Sequence, residues 1–315
     1  MIKNMKNREN IKIVVAGLDN AGKTSFIIAL RHKYNFYERV KDLKPTIKID
    51  YNSFEFLNKW SINLWDMGGQ AKYRKIYVNN PIYFIETDFV YFFIDIQDEL
   101  KIEESMKYLH ELIKIFNENG YSNEIIVCFN KHDPQFRCNQ EFADRVEMIK
   151  NLVLVQNKNF KFKFFKTSIY DVSSLSKAMS YSLNKLLNLN EINQYLEFTV
   201  KDFKCQHAVL YTDTGLIISD YYNNEIMDNR EFDDLIGSKV SNDLEFFQRL
   251  NDNKVNIDER ISIVDENMEY VKKYEVKIDS SKNTFYLRLT LPIEMVHEMK
   301  KNANSFHKIL SSFLG

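Results

Sequence analysis

Gly17-Leu18-Asp19-Asn20-Ala21-Gly22-Lys23-Thr24 stands between the apolar run Ile11–Ala16 and the helix-periodic stretch Lys23–His32. A β-branched run, a glycine-punctuated turn and a helical period predict a strand, a tight loop and a helix in that order. The pattern G-x-x-x-x-G-K-[ST] in this setting has a physical use. Its glycines let backbone amides turn toward a phosphate, and the helix N-terminus adds its dipole. The lysine reaches the outer phosphates, and the hydroxyl meets a magnesium ion. The loop predicts a nucleotide site in which Asp19, Asn20, Ala21, Gly22, Lys23, Thr24 and Ser25 surround the phosphates. Alone it does not separate ATP from GTP.

The separation comes from Asn130-Lys131-His132-Asp133, directly after the apolar run Ile125–Phe129. A carboxylate there accepts hydrogen bonds from guanine N1–H and the exocyclic amine, donors that adenine lacks. An unpaired buried acceptor costs roughly 1 to 3 kcal/mol, so Asp133 excludes adenine nucleotides. Thr167-Ser168-Ile169, at the end of another strand, suits the last wall of such a pocket, with Ser168 and Ile169 amides toward the guanine carbonyl. In Leu64-Trp65-Asp66-Met67-Gly68-Gly69-Gln70, Asp66 is expected to hold magnesium through water and Gly69 to offer its amide to the γ-phosphate. Gln70 is expected to orient the attacking water, since phosphoryl transfer needs positioning and charge neutralisation more than covalent chemistry. Thr46, in Lys44-Pro45-Thr46-Ile47, is placed to close on magnesium and γ-phosphate. The expected catalytic set is Gln70, Lys23 and Thr46, and the magnesium set Thr24, Thr46 and Asp66.

Around these motifs, short apolar runs alternate with helix-periodic segments from residue 11 to about 189, the pattern of a parallel sheet covered on both faces. Strands are expected at Ile11–Ala16, Phe54–Leu57, Ser61–Trp65, Phe89–Asp95, Ile125–Phe129 and Phe162–Lys166. Helices are expected at Lys23–His32, Ile102–Asn117, Glu141–Leu154 and Leu175–Leu187. The alternation then stops without a Pro, Gly or Ser tract, so a helix carrying Ile192, Leu196, Thr199, Val200 and Phe203 is expected to join the halves. Beyond it, Ala208–Tyr211 and Leu216–Tyr222 flank Thr212-Asp213-Thr214-Gly215, a hairpin turn by length and composition. A helix (Arg230–Leu250), three strands (Arg260–Val264, Tyr270–Ile278, Thr284–Leu291) and a terminal helix (Met295–Leu314) follow. Adjacent strands flanked by helices predict an antiparallel α+β domain. The fold class is α/β: a mostly parallel six-stranded sheet flanked by helices in residues 1–189, then the α+β domain in residues 190–315.

The totals fit two globular domains, since 315 residues exceed one ordinary core at about 100 to 200 residues per domain. With 43 Lys plus Arg against 44 Asp plus Glu, the net charge of −1 sets up no field for nucleic acid or an acidic membrane. Cys128, Cys138 and Cys205 are scattered, without the spacing of a zinc site or a disulfide framework, which fits a cytoplasmic setting. No apolar run approaches the roughly 18 residues of a membrane span. Ile2 leaves no N-terminal glycine to acylate and Phe313-Leu314-Gly315 no prenylatable cysteine, so membrane contact is expected only through a partner. Arg31 and Arg39 read as surface cations, not a built-in arginine finger. Tyr91-Phe92-Phe93 reads as core, and the Lys–Phe alternation from Asn157 to Phe164 as a strand with one wet side.

The five nucleotide-site elements, in this order, resemble the Ras superfamily of small GTPases over roughly the first 190 residues. Gly17–Thr24 and Trp65–Gln70 look like the Arf branch, whose members end soon after this domain and carry a myristoylated N-terminal helix. Asn63-Leu64-Trp65-Asp66 leading to Gly68-Gly69-Gln70, Phe165–Asp171 and the overall length resemble the Rag/Gtr GTPases. That resemblance implies a GTP-hydrolysing switch cycling between GTP and GDP with Mg2+, slow unless a GTPase-activating protein assists and reset by an exchange protein. It also implies that residues 190–315 form a roadblock-like domain, a five-stranded antiparallel sheet flanked by helices. Through it the chain is expected to form a homodimer or a heterodimer with a related GTPase, recruiting or releasing signalling partners. Asn130-Lys131-His132-Asp133 is a fuller guanine motif than some Rag subunits keep. Two alternatives stand beside this reading: a nucleotide-binding scaffold that does not cycle, and an Arf-like trafficking GTPase with an extra domain.

Overall fold

The structure is a computed structural model describing residues 9–31, 36–56, 60–158, 160–186, 189–223, 230–264, 266–278 and 281–314. The expected element ends His32, Leu57 and Leu187, the residue Asn159, the Arg31 side chain and the termini Met1-Ile2-Lys3 and Gly315 lie outside the described residues. Backbone contacts divide the chain into two units, Met1–Ala178 and Met179–Gly315.

The first unit runs β1 (Glu9–Gly17), α1 (Lys23–Arg31), α2 (Phe36–Lys41), β2 (Ile49–Phe56), β3 (Trp60–Met67), α3 (Ala71–Asn79), β4 (Phe89–Asp95), α4 (Ile102–Glu118), β5 (Ile125–Asn130), α5 (Gln140–Gln156), β6 (Phe162–Thr167) and the start of α6 (Val172–Leu186). Its six-stranded sheet has the order β2-β3-β1-β4-β5-β6, with β2 antiparallel to β3 and every other pair parallel. Every residue of β4 and β5 is buried, so Tyr91-Phe92-Phe93 is core as expected. Helix α4 lays Ile102, Met106, Leu109, Ile113 and Phe116 on that core at helical spacing, each such burial contributing about 1.5–3 kcal/mol. At the sheet edge, Phe162 and Phe164 are half-buried while Lys161, Lys163 and Lys166 are exposed, the one-sided strand that the Lys–Phe alternation predicts.

The strand expected to start at Phe54 starts at Ile49. Asp50, Asn52 and Ser53 hide its first half from a propensity reading, because β2 is an edge strand that tolerates polar residues. Helix α3 was not expected either: it is polar and buries only Tyr73 and Tyr77, one turn apart. Helix α2 carries Arg39 exposed on its surface.

The register sets the site. Gly17 of β1 lies beside Phe93, Asp95 beside Asn130, Asn130 beside Thr167, and Val15 beside Asp66. The motif residues therefore line up at the carboxyl ends of adjacent parallel strands, where open α/β sheets bind ligands.

The second unit holds α7 (Asn190–Asp202), β7 (His207–Thr212), β8 (Ile217–Tyr222), α8 (Arg230–Asp252), β9 (Glu259–Val264), β10 (Asn267–Ile278), β11 (Ser281–Pro292), α9 (Val296–Ala303) and α10 (Phe306–Leu314). Its five strands are all antiparallel, in the order β8-β7-β11-β10-β9. The turn at Thr212–Gly215 is a hairpin, closed by Gly215 N on Thr212 O (2.8 Å) and by Leu216 N on Thr212 Oγ1 (3.2 Å). Ile236, Val240, Leu244 and Phe247 of α8 pack on Val209, Tyr211, Val271 and Tyr286 of the sheet. Phe306 stacks on Tyr195 at 4.2 Å, pinning α10 against α7. The single terminal helix expected over Met295–Leu314 is two helices. Ser305 Oγ donates to Asn302 O (2.7 Å) and Asn302 Oδ1 (3.1 Å), and this side-chain competition for backbone groups breaks the helix. Among the described residues, no helix is long and apolar enough to cross a membrane.

Candidate nucleotide-binding site

The loop after β1 is shaped by glycines that nothing else replaces. Gly22 has φ +87°, and a Cβ there would lie 2.2 Å from Asn130 Nδ2. A Cβ on Gly69 would lie 2.2 Å from Asp19 N and from Leu18 C, so the chain after β3 presses directly on the phosphate loop. Lys23 opens α1 only 5% exposed, donating to Leu18 O (2.7 Å) and Gly17 O (3.2 Å). Burial pulls its ammonium down to about 8, although Asp66 and Asp19 favour the charge. Ala21 is buried, Ser25 half-buried, and Asp19 and Asn20 exposed.

Thr24 Oγ1 donates to Asp66 Oδ2 (2.5 Å) and meets Thr46 Oγ1 at 2.9 Å, while Thr46 Oγ1 reaches the same carboxylate oxygen at 3.3 Å. Asp66 is fully buried, and its Oδ1 has no hydrogen-bond partner. Burial pushes its carboxyl up, against the pull of Lys23 and the two threonines. Two hydroxyls and a buried carboxylate with a bare oxygen are the donor set of a hard divalent cation such as Mg2+, which takes its remaining ligands from water and phosphate. Among the described residues there is no cluster of three His, Cys, Asp or Glu side chains, so this oxygen set is the candidate metal position. All three expected magnesium residues thus come together.

Gly68 N donates to Lys48 O (2.7 Å), tying the glycine pair to the segment after Thr46. Arg74 Nε donates to Gly69 O (2.9 Å), and the same guanidinium pairs with Glu104 and sits over the Tyr108 ring. Gln70 caps α3 half-buried, its side chain not spent on the helix.

The guanine side is a closed set of bonds. Asn130 Nδ2 donates to Ala21 O (2.7 Å) and its Oδ1 accepts from Thr167 Oγ1 (2.9 Å), so this asparagine fastens the phosphate loop to β6. Lys131, in the left-handed region at φ +62°, pairs with Asp95 at 2.6 Å. Asp133 Oδ1 accepts from Ser168 Oγ (2.5 Å) and Oδ2 from Gln97 Nε2 (2.9 Å). His132 N donates to Thr167 O (3.0 Å), and burial lowers the imidazole's proton affinity. Ile169 follows Ser168, half-buried.

The sequence profile of the ADP-ribosylation factor family matches residues 1–186. The chain belongs to that family. Among its relatives is an ADP-ribosylation factor-like protein, alp41, of Schizosaccharomyces pombe, 29% identical over 58% of this chain and 89% of the relative. ADP-ribosylation factor-like protein 2 of Drosophila melanogaster is 30% identical over 42% of this chain and 67% of its own length. A solved structure of the Arl6 BBS3 small GTPase from Trypanosoma brucei with bound GppNp aligns with a TM-score of 0.43 at 19% identity, over 56% of this chain and 96% of that one. The family is that of small GTPases, GTP hydrolases that bind GTP and GDP with Mg2+ and work with activating and exchange proteins. The family match ends at Leu186 and so does not bear on the rest of the second unit.

Four site residues escape the motifs: Asp95, Gln97, Arg74 and Lys48. The one available signal was Asp95, a charged residue ending an otherwise apolar strand, where the carboxyl end of a parallel sheet meets its ligand.

Proposed function

We propose that this chain is a GTP-hydrolysing regulatory switch, its nucleotide domain in residues 1–189 and a dimerisation domain of the roadblock kind in residues 190–315. The observation that carries the switch is the meeting of Thr46 with Thr24 at Asp66, beside the bare Oδ1. Thr46 lies outside any helix or strand, so a loop carries one oxygen of the metal set. A γ-phosphate with Mg2+ draws this loop and Gly69 inward; after hydrolysis both relax and a different partner binds. Lys23 and the loop amides hold the phosphates, Asp133 with Ser168 and Ile169 reads guanine, and Gln70 orients the attacking water. Unassisted turnover is expected on the order of 10⁻⁴ to 10⁻³ per second, with an activating partner supplying the rest.

Single-turnover hydrolysis of bound GTP tests this, compared between the parent and Gln70→Leu. The expected result is slow release of phosphate from the parent and at least about a tenfold slower release from the variant. No hydrolysis in the parent, even with candidate activators, overturns the switch in favour of a nucleotide-stabilised scaffold.

The dimer draws support from the Rag/Gtr resemblance of the sequence and from β9, an edge strand whose Ile261, Ile263 and Val264 are exposed. An Arf-like trafficking GTPase with an extra domain is supported equally by the family match. The native mass of the full chain separates the two: a dimer, or a complex with a related GTPase, is the Rag/Gtr-like outcome, and a monomer in both nucleotide states is the other. On either reading the protein works in the cytoplasm and meets membranes through a partner.

A further inference from the structure

The chain leaves β4 through Asp95, Ile96 and Gln97, and this short exit reaches across to the guanine motif. Ile96 N donates to Asn130 O (3.1 Å). Asp95 Oδ1 accepts from Gln97 N (3.0 Å), which folds the exit back on itself, while Asp95 Oδ2 holds Lys131 Nζ. Gln97 Nε2 then meets two acceptors, Lys131 O at 2.7 Å and Asp133 Oδ2 at 2.9 Å. Both partners are oxygens, so chemistry fixes the amide's orientation: turned over, its own oxygen would face them.

An ionised carboxylate has about four lone-pair positions, two on each oxygen. Ser168 fills one on Oδ1 and Gln97 fills one on Oδ2. One is left on each oxygen, and a guanine edge brings two donors, N1–H and the 2-amino group. We infer that Gln97 is a specificity-positioning residue: it fixes the plane of the Asp133 carboxylate so that each oxygen keeps one lone pair aimed at a guanine edge. The inference rests on the reading of Asp133 as the guanine acceptor. Held from one side only, by Ser168, the carboxylate turns about its terminal bond, whose torsional well is broad. A two-point contact is lost by that rotation, whereas a one-point contact follows it. Gln97 therefore separates guanine, with two donors, from hypoxanthine, which lacks the 2-amino group.

Competition binding to the full chain with Mg2+ tests this, using GDP, inosine diphosphate and xanthosine diphosphate against the parent, Gln97→Met and Asp133→Asn. Methionine keeps the length of the side chain without its donors. The expected result for Gln97→Met is about a fivefold to tenfold loss for GDP and less than about a twofold loss for inosine diphosphate, with unchanged thermal unfolding. Equal losses for both nucleotides mean general loosening of the Lys131 turn and overturn the inference, as does no loss at all. Asp133→Asn reports separately on the underlying reading: a shift of preference to xanthosine diphosphate, whose C2 carbonyl accepts from an amide, upholds it. A variant that still prefers GDP removes that reading and this inference together. If Asp133→Asn shifts as expected while Gln97→Met keeps the parental ratio, only the role of Gln97 falls.

Discussion

Each unit buries charge, and the two burials differ in kind. In the second unit Arg288, 1% exposed, donates to Asp243 Oδ2 at 2.5 Å and lies 2.6 Å from Glu269 Oε2. Asp243 also accepts from Tyr211 (3.1 Å) and Arg260 (2.9 Å), and Lys239 pairs with Glu269. Burial pushes the Glu269 carboxyl up, but the Lys239 hydrogen bond and the Arg288 charge outweigh it and hold it at about 2. Every charge there has a counter-charge from the protein. In the first unit Lys23 has no carboxylate within salt-bridge distance among the described residues, and Asp66 keeps a bare oxygen. A buried charge with its partner in place is part of the fold. A buried charge without one is a stored cost, which a ligand offsets.

The largest expected effect breaks the closed cluster. Arg288→Ala leaves Asp243 and Glu269 facing each other across a cavity, and removing one partner of a buried pair costs about 3–5 kcal/mol. Urea unfolding followed by hydrogen exchange in β7 and β11 reads the loss, with GDP affinity staying within about twofold of the parent. Retained stability would refute the view that this cluster is structural.

The open cluster is expected to answer the other way round. In Lys23→Met the desolvated ammonium is gone, so the nucleotide-free protein is as stable as the parent or more so. Nucleotide affinity falls about 10- to 100-fold, the worth of a charge-assisted phosphate bond. Equilibrium GDP titration and unfolding without nucleotide separate the two quantities. A variant that lost stability in step with affinity would make Lys23 a structural residue.

The contrast also explains what could be read in the sequence. Lys23, Thr24, Asp66, Asn130 and Asp133 could be named as candidates because short motifs carry their spacing. The strands β4 and β5 were legible because each is apolar up to its last residue, Asp95 and Asn130. Gln97 and Asp133 are 36 residues apart, and no local pattern couples them; only the pairing of β4 with β5 does. Arg74, five residues beyond Gly69, sat in a helix too polar to be noticed. Arg288 stands within the strand expected from Thr284 to Leu291, but nothing in that strand announces its burial, which depends on α8 arriving with Asp243 from elsewhere in the chain. Patterns of period two or 3.6 report which face of one element is apolar. They are silent on a cation whose partners come from two others.

The smallest expected effect is a pH signature of the open cluster. Lys23 holds its proton to about 8 in the folded protein, against an ordinary 10.5 when unfolded. Below pH 8 the group is charged in both states, so the full cost of burying the charge is present. As pH rises past 8 the folded protein releases the proton while the unfolded chain keeps it, so the unfolded state binds more protons and stability rises with pH, by at most about 1.4 kcal/mol per unit. Nucleotide-free parent should therefore gain about 1 kcal/mol on Lys23→Met between pH 8 and 9, all other titrations being common to both. Bound GDP should erase the gain, because phosphate oxygens beside Lys23 restore its proton affinity and keep the ammonium charged across this range. Urea unfolding of both proteins at pH 7, 8 and 9, with and without GDP and Mg2+, reads the difference. Parallel profiles in the absence of nucleotide would mean that the ammonium is already compensated in the empty protein, and the distinction between the two clusters would fail at its most exposed point.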